Sequence, residues 1–523
     1  MKPLSRPSRT PSKFSNSCGF LFVACLFLSG VSNAAPYITL SKKTGPPTSQ
    51  ILVSGRGFEP NVGVDIYFDT KDEALIVTDA KGEFRNARAY APRSARPGQH
   101  WVTALERNND KGAQKPFLVQ TNWRNFRFSP AREGANPYEN VLDPHTIDGL
   151  VVRWTYDTKN SFTWGSPDVV DGTAYVSTGF GLFALDAKTG VLRWKFPMPG
   201  SDLLTSNPAI ANGMVYVGTQ DLGVYAIDTE TGKLVWKSNC DGAFCEVSGS
   251  PAVVNGVVYF DNASQDREHD GLYAVDAKTG KGLWFFNPNC QFCPSSSSPA
   301  VANGVVYFGG GDYQIYAIDA RTGAKLWSYA TNFYVESSAA VANGVVYIGS
   351  DDKNLYALNA STGNKLWSYA TGGQIDSSPA VANGVVYITS YDQSLYALNA
   401  YTGALVWSYP IGAYYLSNAS VANGVVYVGT GDLQPPSGGV YAFNAATGAL
   451  LWSYAASSYV FPDPTIVNGM VYFDTYQDGI IYGFALADKA DAEQEAVSGR
   501  PEFKALRPDL RLKLSRNPNT VRR

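Results

Sequence analysis

The sequence predicts an all-β protein, an eight-bladed β-propeller preceded by a small β-sandwich. Short apolar segments separated by Gly, Pro and Asn turns run through the 523 residues, which include 50 Gly and 32 Tyr. Glycine supplies the positive φ of tight turns, and aromatic residues favour pleated sheets. An Asn-Gly or Asp-Gly turn recurs between residues 172 and 469, about 40 to 48 residues apart. That period fits four short strands per repeat, which is typical of propeller blades.

Eight copies of the turn predict eight blades. In the unit around Gly384, strands are expected at 378–382, 385–389, 395–399 and 405–409, because Asn-Gly between two apolar runs favours a type I′ hairpin. The turn glycines are Gly172, Gly213, Gly256, Gly304, Gly344, Gly384, Gly424 and Gly469.

A tryptophan recurs with the same period and predicts how the ring closes. Trp154 precedes the first turn, while the last unit ends at Leu486 without a tryptophan of its own. The N-terminal strand is therefore expected to complete the last blade and remove an open sheet edge. The eight tryptophans are Trp154, Trp194, Trp236, Trp284, Trp327, Trp367, Trp407 and Trp452.

The segment Ala184-x-Asp186-x-x-Thr189-Gly190-x-x-x-Trp194 matches the docking motif of the quinoprotein alcohol dehydrogenase-like (PQQ-repeat) superfamily, to which BamB-type outer-membrane assembly propellers also belong. The resemblance implies that these tryptophans pack on the neighbouring blade and have a structural role. Six further copies are anchored by Gly232, Gly280, Gly323, Gly363, Gly403 and Gly448.

The chain divides into five expected parts: a signal peptide (1–34), a β-sandwich (36–121), a lead-in (122–149), the propeller (150–486) and a disordered basic tail (487–523). Basic residues, a short apolar run and small residues before position 35 are typical of secretion signals. The run is too short for a transmembrane anchor, which needs about 20 residues. No cysteine stands at the expected cleavage site, so we expect a periplasmic or extracellular protein and not a lipoprotein.

The front part carries Thr44-Gly45-Pro46-Pro47 and Ser54-Gly55-x-Gly57-Phe58, which resemble Ig-like modules of bacterial surface and secreted proteins. The whole chain has 42 basic and 45 acidic residues. This balance gives no strong field of one sign, so nucleic acid is not an expected partner. We expect a monomer.

Four cysteines flank the third blade: Cys240, Cys245, Cys290 and Cys293. In an oxidising compartment two disulfides are favoured, with local pairing preferred among the three possible pairings. A redox Cys-x-x-Cys and a four-thiolate zinc site are the alternatives.

Between these cysteines, the longest second-to-third-strand turn covers 261–270 and is the candidate recognition loop. A plain loop or a calcium-holding loop are its alternatives. Aspartates in the other such turns, including Asp351 and Asp392, are expected to bond turn N–H groups. The candidate loop residues are Asp261, Asp266, Glu268, His269 and Asp270.

The start of each first strand is expected to line the central channel. Glu336 and Asp376 fall on neighbouring blades, and Trp164 and Phe461 fall beside the ring closure. Carboxylates opposite aromatic rings are suited to a sugar or a cation, so these four residues form a candidate ligand site.

Two functions from different classes remain at this point. For a dehydrogenase, the resemblance implies directly adjacent cysteines over the quinone and acidic and amide calcium ligands, and the sequence has no adjacent cysteine pair. We therefore expect a non-catalytic scaffold that binds an envelope or extracellular protein, or a glycan, with no cofactor. A dehydrogenase using pyrroloquinoline quinone (PQQ) and calcium is the disfavoured alternative.

Overall fold

A computed structural model describes residues 35–487, apart from 110, 160–164, 199–202, 205, 221–222, 239–244, 263–268, 289–296 and 434–435. The expected signal peptide and the tail from residue 488 lie outside the described residues. Among the residues described, no helix is both long and apolar enough to cross a membrane. The chain forms nearly all β structure, in a front sandwich and a ring of sheets.

The front part is a β-sandwich of two sheets over one core. Its central strand Gln50–Arg56 alternates buried and more exposed residues, as expected for a strand with one face inward. Phe58 and Phe84 pack in the core with ring centroids 5.4 Å apart. In sheet order, one sheet contains Tyr37–Leu40, Gln50–Arg56 and Phe84–Tyr90, and the other contains Thr44–Gly45, Gly112–Val119, Gly98–Glu106, Gly63–Phe68 and Lys71–Val77. The Ig-like resemblance stays a prediction.

Eight sheets with four blade strands each form the propeller, and the fold class predicted from the repeat is confirmed. From inner to outer strand, blade 1 contains Asp168–Val170, Thr173–Thr178, Gly181–Asp186 and Leu192–Pro197; blade 2 contains Ala209–Ala211, Met214–Gly218, Val224–Asp228 and Leu234–Lys237; blade 3 contains Ala252–Val254, Val257–Asn262, Gly271–Asp276 and Gly282–Phe286; and blade 4 contains Ala300–Ala302, Val305–Gly309, Gln314–Asp319 and Lys325–Ala330.

The remaining blades continue the ring, and the inner strand of blade 8 lies against that of blade 1. Blade 5 contains Ala340–Ala342, Val345–Gly349, Asn354–Asn359 and Lys365–Ala370; blade 6 contains Ala380–Ala382, Val385–Ser390, Ser394–Asn399 and Leu405–Pro410; blade 7 contains Ser420–Ala422, Val425–Leu433, Pro436–Asn444 and Leu450–Ala456, with Tyr415–Leu416 also paired to its second strand; and blade 8 contains Thr465–Val467, Met470–Asp474, Ile480–Leu486 and Leu150–Asp157.

The strand bounds follow from the turn chemistry. In blade 6, Asn383 has φ 50° and Gly384 has φ 78°, the left-handed pair that a type I′ turn requires. Val385 and Ala382 therefore pair directly across the turn. The four strands expected for this unit all form, with ends that differ by two residues or fewer.

The outermost strand of blade 8 comes from the start of the ring. Leu150–Asp157 pairs antiparallel with Ile480–Leu486, with Leu150 opposite Leu486 and Asp157 opposite Ile480. The closure predicted from Trp154 is therefore present. It joins the two ends of the propeller sequence within one sheet, so neither end presents a free blade.

Seven of the eight tryptophans dock on the next blade. Each donates its indole Nε1–H to a main-chain carbonyl beside the neighbouring Thr-Gly turn, as from Trp367 to Ala400 at 3.1 Å. The Tyr347 hydroxyl donates to the same Ala400 carbonyl, at 3.0 Å. A Cβ on Gly403 would lie 2.7 Å from the Trp367 ring, which explains the glycine. Trp452 differs because blade 8 has no such turn, and it packs edge-on against Phe484.

The segment 122–149, expected only as a lead-in, lies across one end of the channel. An innermost strand has an open edge, and its unpaired N–H groups need acceptors. Carbonyls of the lead-in supply them in five blades, and Trp123 bridges to Val169 of blade 1. The bonds run from Ile210 to Arg124, Val301 to Pro130, Val341 to Ala131, Val381 to Glu133 and Val421 to Gly134, at 2.7–2.9 Å.

Candidate functional site

A belt of hydrogen bonds runs round the channel wall beside the lead-in. Just before the inner strands of blades 2 to 7, a Ser or Asn side chain accepts the main-chain N–H of the equivalent residue in the preceding blade. The belt passes in order through Ser166, Asn207, Ser250, Ser298, Ser338, Ser378 and Asn418, and Asn418 then donates to Asp463, with donor–acceptor distances of 2.5–3.1 Å. It fixes the channel diameter and leaves a wall of polar side chains.

The belt has a seam between blades 8 and 1. Blade 8 carries Asp463 at the equivalent position, and this carboxylate faces Arg127 of the lead-in at 3.0 Å. On the other side of the seam, the Ser166 hydroxyl has no hydrogen-bond partner, although only 3% of the residue is exposed. A buried hydroxyl without a partner has a free-energy cost, so the seam offers a polar atom that a ligand in the channel could bond.

The ion pair at the seam is fully buried. Burial raises the pKa of Asp463 to about 6, even though Arg127 and Asn418 oppose that shift. Burial also lowers the pKa of Arg127. The Arg127 guanidinium donates to the Ala419 carbonyl at 2.9 Å as well. Its charge is therefore already matched within the protein.

The lead-in forms the floor of the channel. The guanidinium of Arg132, which is 0% exposed, lies 5.1 Å from the Phe126 ring centroid. Arg132 donates to the carbonyls of Pro299 and Ser250 at 2.8 and 2.6 Å, so it ties the floor to blades 3 and 4. Burial lowers its pKa to about 9.

Above this floor lies a cavity of about 250 Å³. Phe126, the belt residues, Ser206 and Ser248 line it, together with Glu336, Asp376, Phe461, Pro462 and Asp463. The structure thus brings three of the four residues predicted for the channel site to one cavity. The fourth, Trp164, lies outside the described residues. Burial and the nearby Asp376 raise the pKa of Glu336.

A further carboxyl, Asp351, joins this group. Its pKa is raised to about 8, and burial is the largest cause. Its hydrogen bond to Asp376 and the negative charges around it also raise the pKa. Glu336 is among those charges, and the Tyr391 hydroxyl also bonds Asp376. We define the carboxyl cluster as Glu336, Asp351 and Asp376. With its pKa raised in this way, Asp351 holds a proton at neutral pH, because burial penalises the charged carboxylate.

Sequence reasoning missed Asp351 because turn aspartates recur in every repeat. The structure confirms the turn role for its neighbour Asp352, which accepts the Tyr356 hydroxyl at 2.6 Å and the Asn354 N–H at 3.0 Å. Asp392 repeats those contacts in blade 6 with Tyr396 and Ser394. Asp351 is the extra acid of the doublet. Comparing the repeats position by position would have identified it.

Aromatic side chains are exposed on one face of the ring. The second-to-third-strand turns and the links between blades form one face of the ring, here called the link face. On it, Tyr313, Phe333 and Tyr334 are 38%, 40% and 37% exposed. Their ring centroids are 4.9–5.6 Å apart, and we call them the aromatic patch. At the cavity wall, Phe461 packs edge-on against Tyr415 and Tyr476.

The candidate recognition loop is corrected in part. Asp261 and Asp270 are each only 3% exposed, so neither carboxylate is displayed to a partner. Asp261 instead accepts the Gly249 N–H at 3.0 Å, and burial raises its pKa to about 7. The His269 carbonyl accepts a bond from Asn262. Asp266 and Glu268 lie outside the described residues. These aspartates were misjudged because the long turn was interpreted as a solvated insertion.

Of the four cysteines, Cys245 alone is within the described residues. It is buried in the core between blades 2 and 3, and it is disulfide-bonded. Cys240, Cys290 and Cys293 lie outside, so the pairing stays a prediction.

The described lining of the cavity does not fit PQQ. The quinone carries several carboxylates, which need cationic partners, and none of the residues described as lining the cavity is Lys, Arg or His. The nearby Arg127 is bonded to Asp463. Nor do the described His, Cys, Asp and Glu residues form a group of three or more arranged to hold a metal ion. The carboxyl cluster would repel the quinone and attract a cation.

Comparisons with known proteins agree with the fold. A family model described as outer membrane protein assembly factor BamB matches residues 148–284, 184–337, 333–434 and 412–495. The dehydrogenase subunit of alcohol dehydrogenase (quinone) from Komagataeibacter europaeus is 31% identical over 137 residues. That match covers 23% of this chain and 18% of the relative, so it spans less than a fifth of that protein.

Solved propellers resemble this chain more widely, at low identity. Quinohemoprotein alcohol dehydrogenase from Comamonas testosteroni has a TM-score of 0.60 at 18% identity, covering 70% of this chain and 80% of that one. BamB from Moraxella catarrhalis has a TM-score of 0.53 at 17% identity, covering 65% and 98%. These likenesses show the fold. With the family model matching most of the ring, the chain belongs to the BamB-type PQQ-repeat family of β-propellers.

Proposed function

We propose that this protein is a non-catalytic binding propeller that holds an extracytoplasmic protein partner on its link face. The observation that carries the proposal is the exposed aromatic patch on the link face. Exposed neighbouring aromatic rings on a rigid scaffold are typical of binding surfaces, because they provide apolar contact area at a low entropic cost.

The closed floor supports this function. The lead-in occupies the open edges of the inner strands in five blades, and from this closed floor we infer that the cavity opens toward the link face. A partner on that face covers the aromatic patch and the cavity mouth together. The predicted signal peptide and the disulfide at Cys245 favour a location outside the cytoplasm.

A pull-down tests this proposal. The mature chain, immobilised, is incubated with envelope and secreted fractions of its source cells, beside a variant carrying Tyr313→Ser, Phe333→Ser and Tyr334→Ser. We expect a specific partner to be lost from this variant. The control carries Leu326→Ser and Leu366→Ser, which remove side chains that are 52% and 51% exposed on outer strands. Equal capture of the partner by all three proteins would reject the link face as the binding surface. Release of the partner by free glycans would indicate a glycan partner.

The second candidate is a quinone dehydrogenase, favoured by the similarity to the Komagataeibacter europaeus subunit. The anionic cavity opposes it. Mature protein is mixed with PQQ and calcium, then examined for bound-quinone absorbance and alcohol-dependent dye reduction. Both signals together would replace the binding proposal with the enzyme.

A further inference from the structure

We propose that the cavity is a socket for one alkylammonium or guanidinium group, the chemistry of a Lys or Arg side chain on the bound partner. This inference rests on the proposed function, since it takes the cavity mouth to lie within the binding face. Charge, aromatic lining, an unpartnered hydroxyl and cavity size each support it independently.

The first support is a group of carboxyl side chains that no described cationic side chain faces. Glu336 and Asp376 line the cavity, and Asp351 bonds Asp376 from the turn of blade 5. One Asp351 oxygen and one Asp376 oxygen are buried and accept no hydrogen bond from an N–H group or a cation. No cationic side chain lines the cavity in the described part of the chain. Carboxyl groups held together in a partly desolvated site are stabilised by an incoming cation.

The second support is an aromatic wall. Phe461 lines the same cavity, where the edge-on contacts of Tyr415 and Tyr476 hold its ring. It belongs to the link into blade 8, whereas the carboxyl cluster belongs to blades 5 and 6. An organic cation between them can contact a ring on one side and carboxylates on the other. This pairing favours an organic cation over a bare metal ion, consistent with the absence of a metal-type grouping among the described residues.

The third support is the seam of the belt. Ser166 lines the cavity, is 3% exposed, and its Oγ is without a hydrogen-bond partner. In the next six blades, the equivalent side chain accepts a main-chain N–H. Ammonium and guanidinium groups have only donors to offer. A free oxygen acceptor at the cavity wall therefore matches them.

The size of the cavity sets the scale of the ligand. Its volume of about 250 Å³ is below the usual range for sites that enclose a whole drug-sized ligand. Phe126 of the lead-in is part of its lining. The space suits the end of one extended side chain, with the rest of the partner outside on the link face.

Calorimetry with small probes tests the socket on the mature protein. The probes are 1,5-diaminopentane, N-acetyl-lysine amide and N-acetyl-arginine amide, with 1,5-pentanediol as a neutral match of the diamine and glucose for a sugar site. We expect saturable binding of the cationic probes, weakened by added salt, and none of the neutral ones. A preference for the two amino-acid amides points to a partner side chain, and a preference for the diamine points to a free amine.

Charge variants make the test specific. Glu336→Gln with Asp376→Asn should weaken cation binding by about tenfold or more. Glu230→Gln removes one negative charge from a Thr-Gly turn on the opposite face and should change it less than about twofold. We expect the variant to fold, because it loses carboxylates from a like-charged cluster. Thermal unfolding checks this. Equal binding in both variants, binding of pentanediol or glucose as tight as the diamine, or no binding at millimolar diamine would overturn the socket. Loss of the socket with capture still dependent on the aromatic patch would leave the proposed function standing.

Discussion

The indole Nε1 of Trp154 donates to the carbonyl of Ala187 at 3.1 Å, so the strand that closes the ring also docks blade 8 onto blade 1. Trp154 is 7% exposed and packs 6.0 Å from Tyr472, whose hydroxyl bonds the same carbonyl. A Cβ on Gly190 would lie 2.6 Å from the indole, so no larger residue fits there. Trp154 therefore contributes both to the closure of the ring within the sheet of blade 8 and to the packing of blade 8 on blade 1.

Trp154→Ala should destabilise the propeller by about 3 to 5 kcal/mol, the usual cost of truncating a large buried aromatic residue. Trp154→Phe keeps most of the apolar contact but loses the hydrogen bond, and it should cost clearly less. Denaturant unfolding followed by tryptophan fluorescence measures both. Trp452→Ala is the matched comparison, because its indole does not dock on a Thr-Gly turn. Equal losses at both positions would deny Trp154 a special role in closure.

Arg132→Ala should loosen the floor of the channel. The guanidinium bonds carbonyls of blades 3 and 4 at full burial, and its loss leaves those acceptors unpaired, at a cost of roughly 3 kcal/mol. Hydrogen exchange at the N–H groups of Val301 and Val341, which bond the lead-in, should become faster. Arg124→Ala, in an exposed part of the lead-in, is the control. Unchanged protection in Arg132→Ala would show that main-chain bonds alone hold the floor.

The repeat made the blades predictable because each strand end is set by local chemistry, such as the Asn383-Gly384 turn. The closure of the ring could also be predicted from the sequence, since Trp154 had no repeat unit of its own. The floor of the channel could not be predicted, because the carbonyls that accept the inner-strand N–H groups belong to the main chain and leave no pattern of side chains in the sequence. The burial of Arg127 and Arg132 could not be predicted either, since arginine is rarely fully buried.

The carboxyl cluster was predictable in part. Glu336 and Asp376 were found by counting back from the turn glycines, which gives the same position in each blade. Asp351 comes from a different part of blade 5 and approaches only when the blades pack in a ring. The separation of Asp351 and Asp376 along the sequence therefore does not predict that contact.

The stability of the propeller should decrease as the pH rises toward 8. Burial and the hydrogen bond to Asp376 raise the pKa of Asp351 to about 8, while Glu336 and Asp352 add negative charge and Gln374 donates to it at 3.4 Å. A carboxyl whose folded pKa lies above its unfolded value stabilises the fold at low pH. That contribution is lost as the pH passes from about 4 to about 8.

Asp351→Asn removes this dependence because the amide cannot ionise. Thermal unfolding between pH 6 and 9 should show the melting temperature of the unmodified protein falling by about 1 to 2 °C more than that of the variant. Asp392→Asn, in the equivalent turn of blade 6, serves as the control. Parallel curves for all three proteins would show that Asp351 ionises without strain.

The disulfide of Cys245 should be local, joining it to Cys240, with Cys290 and Cys293 forming the second bridge. The members of each pair are close in the sequence, at positions 240 and 245 and at positions 290 and 293, whereas cross-pairing would join two different links between blades. Chymotrypsin cleavage after Phe244 and Phe292 separates all four cysteines. Mass spectrometry of the non-reduced digest should then find the Cys240 peptide bonded to the Cys245 peptide, and reduction should release both. A Cys245 peptide joined to Cys290 or Cys293 would instead establish cross-pairing of the two links.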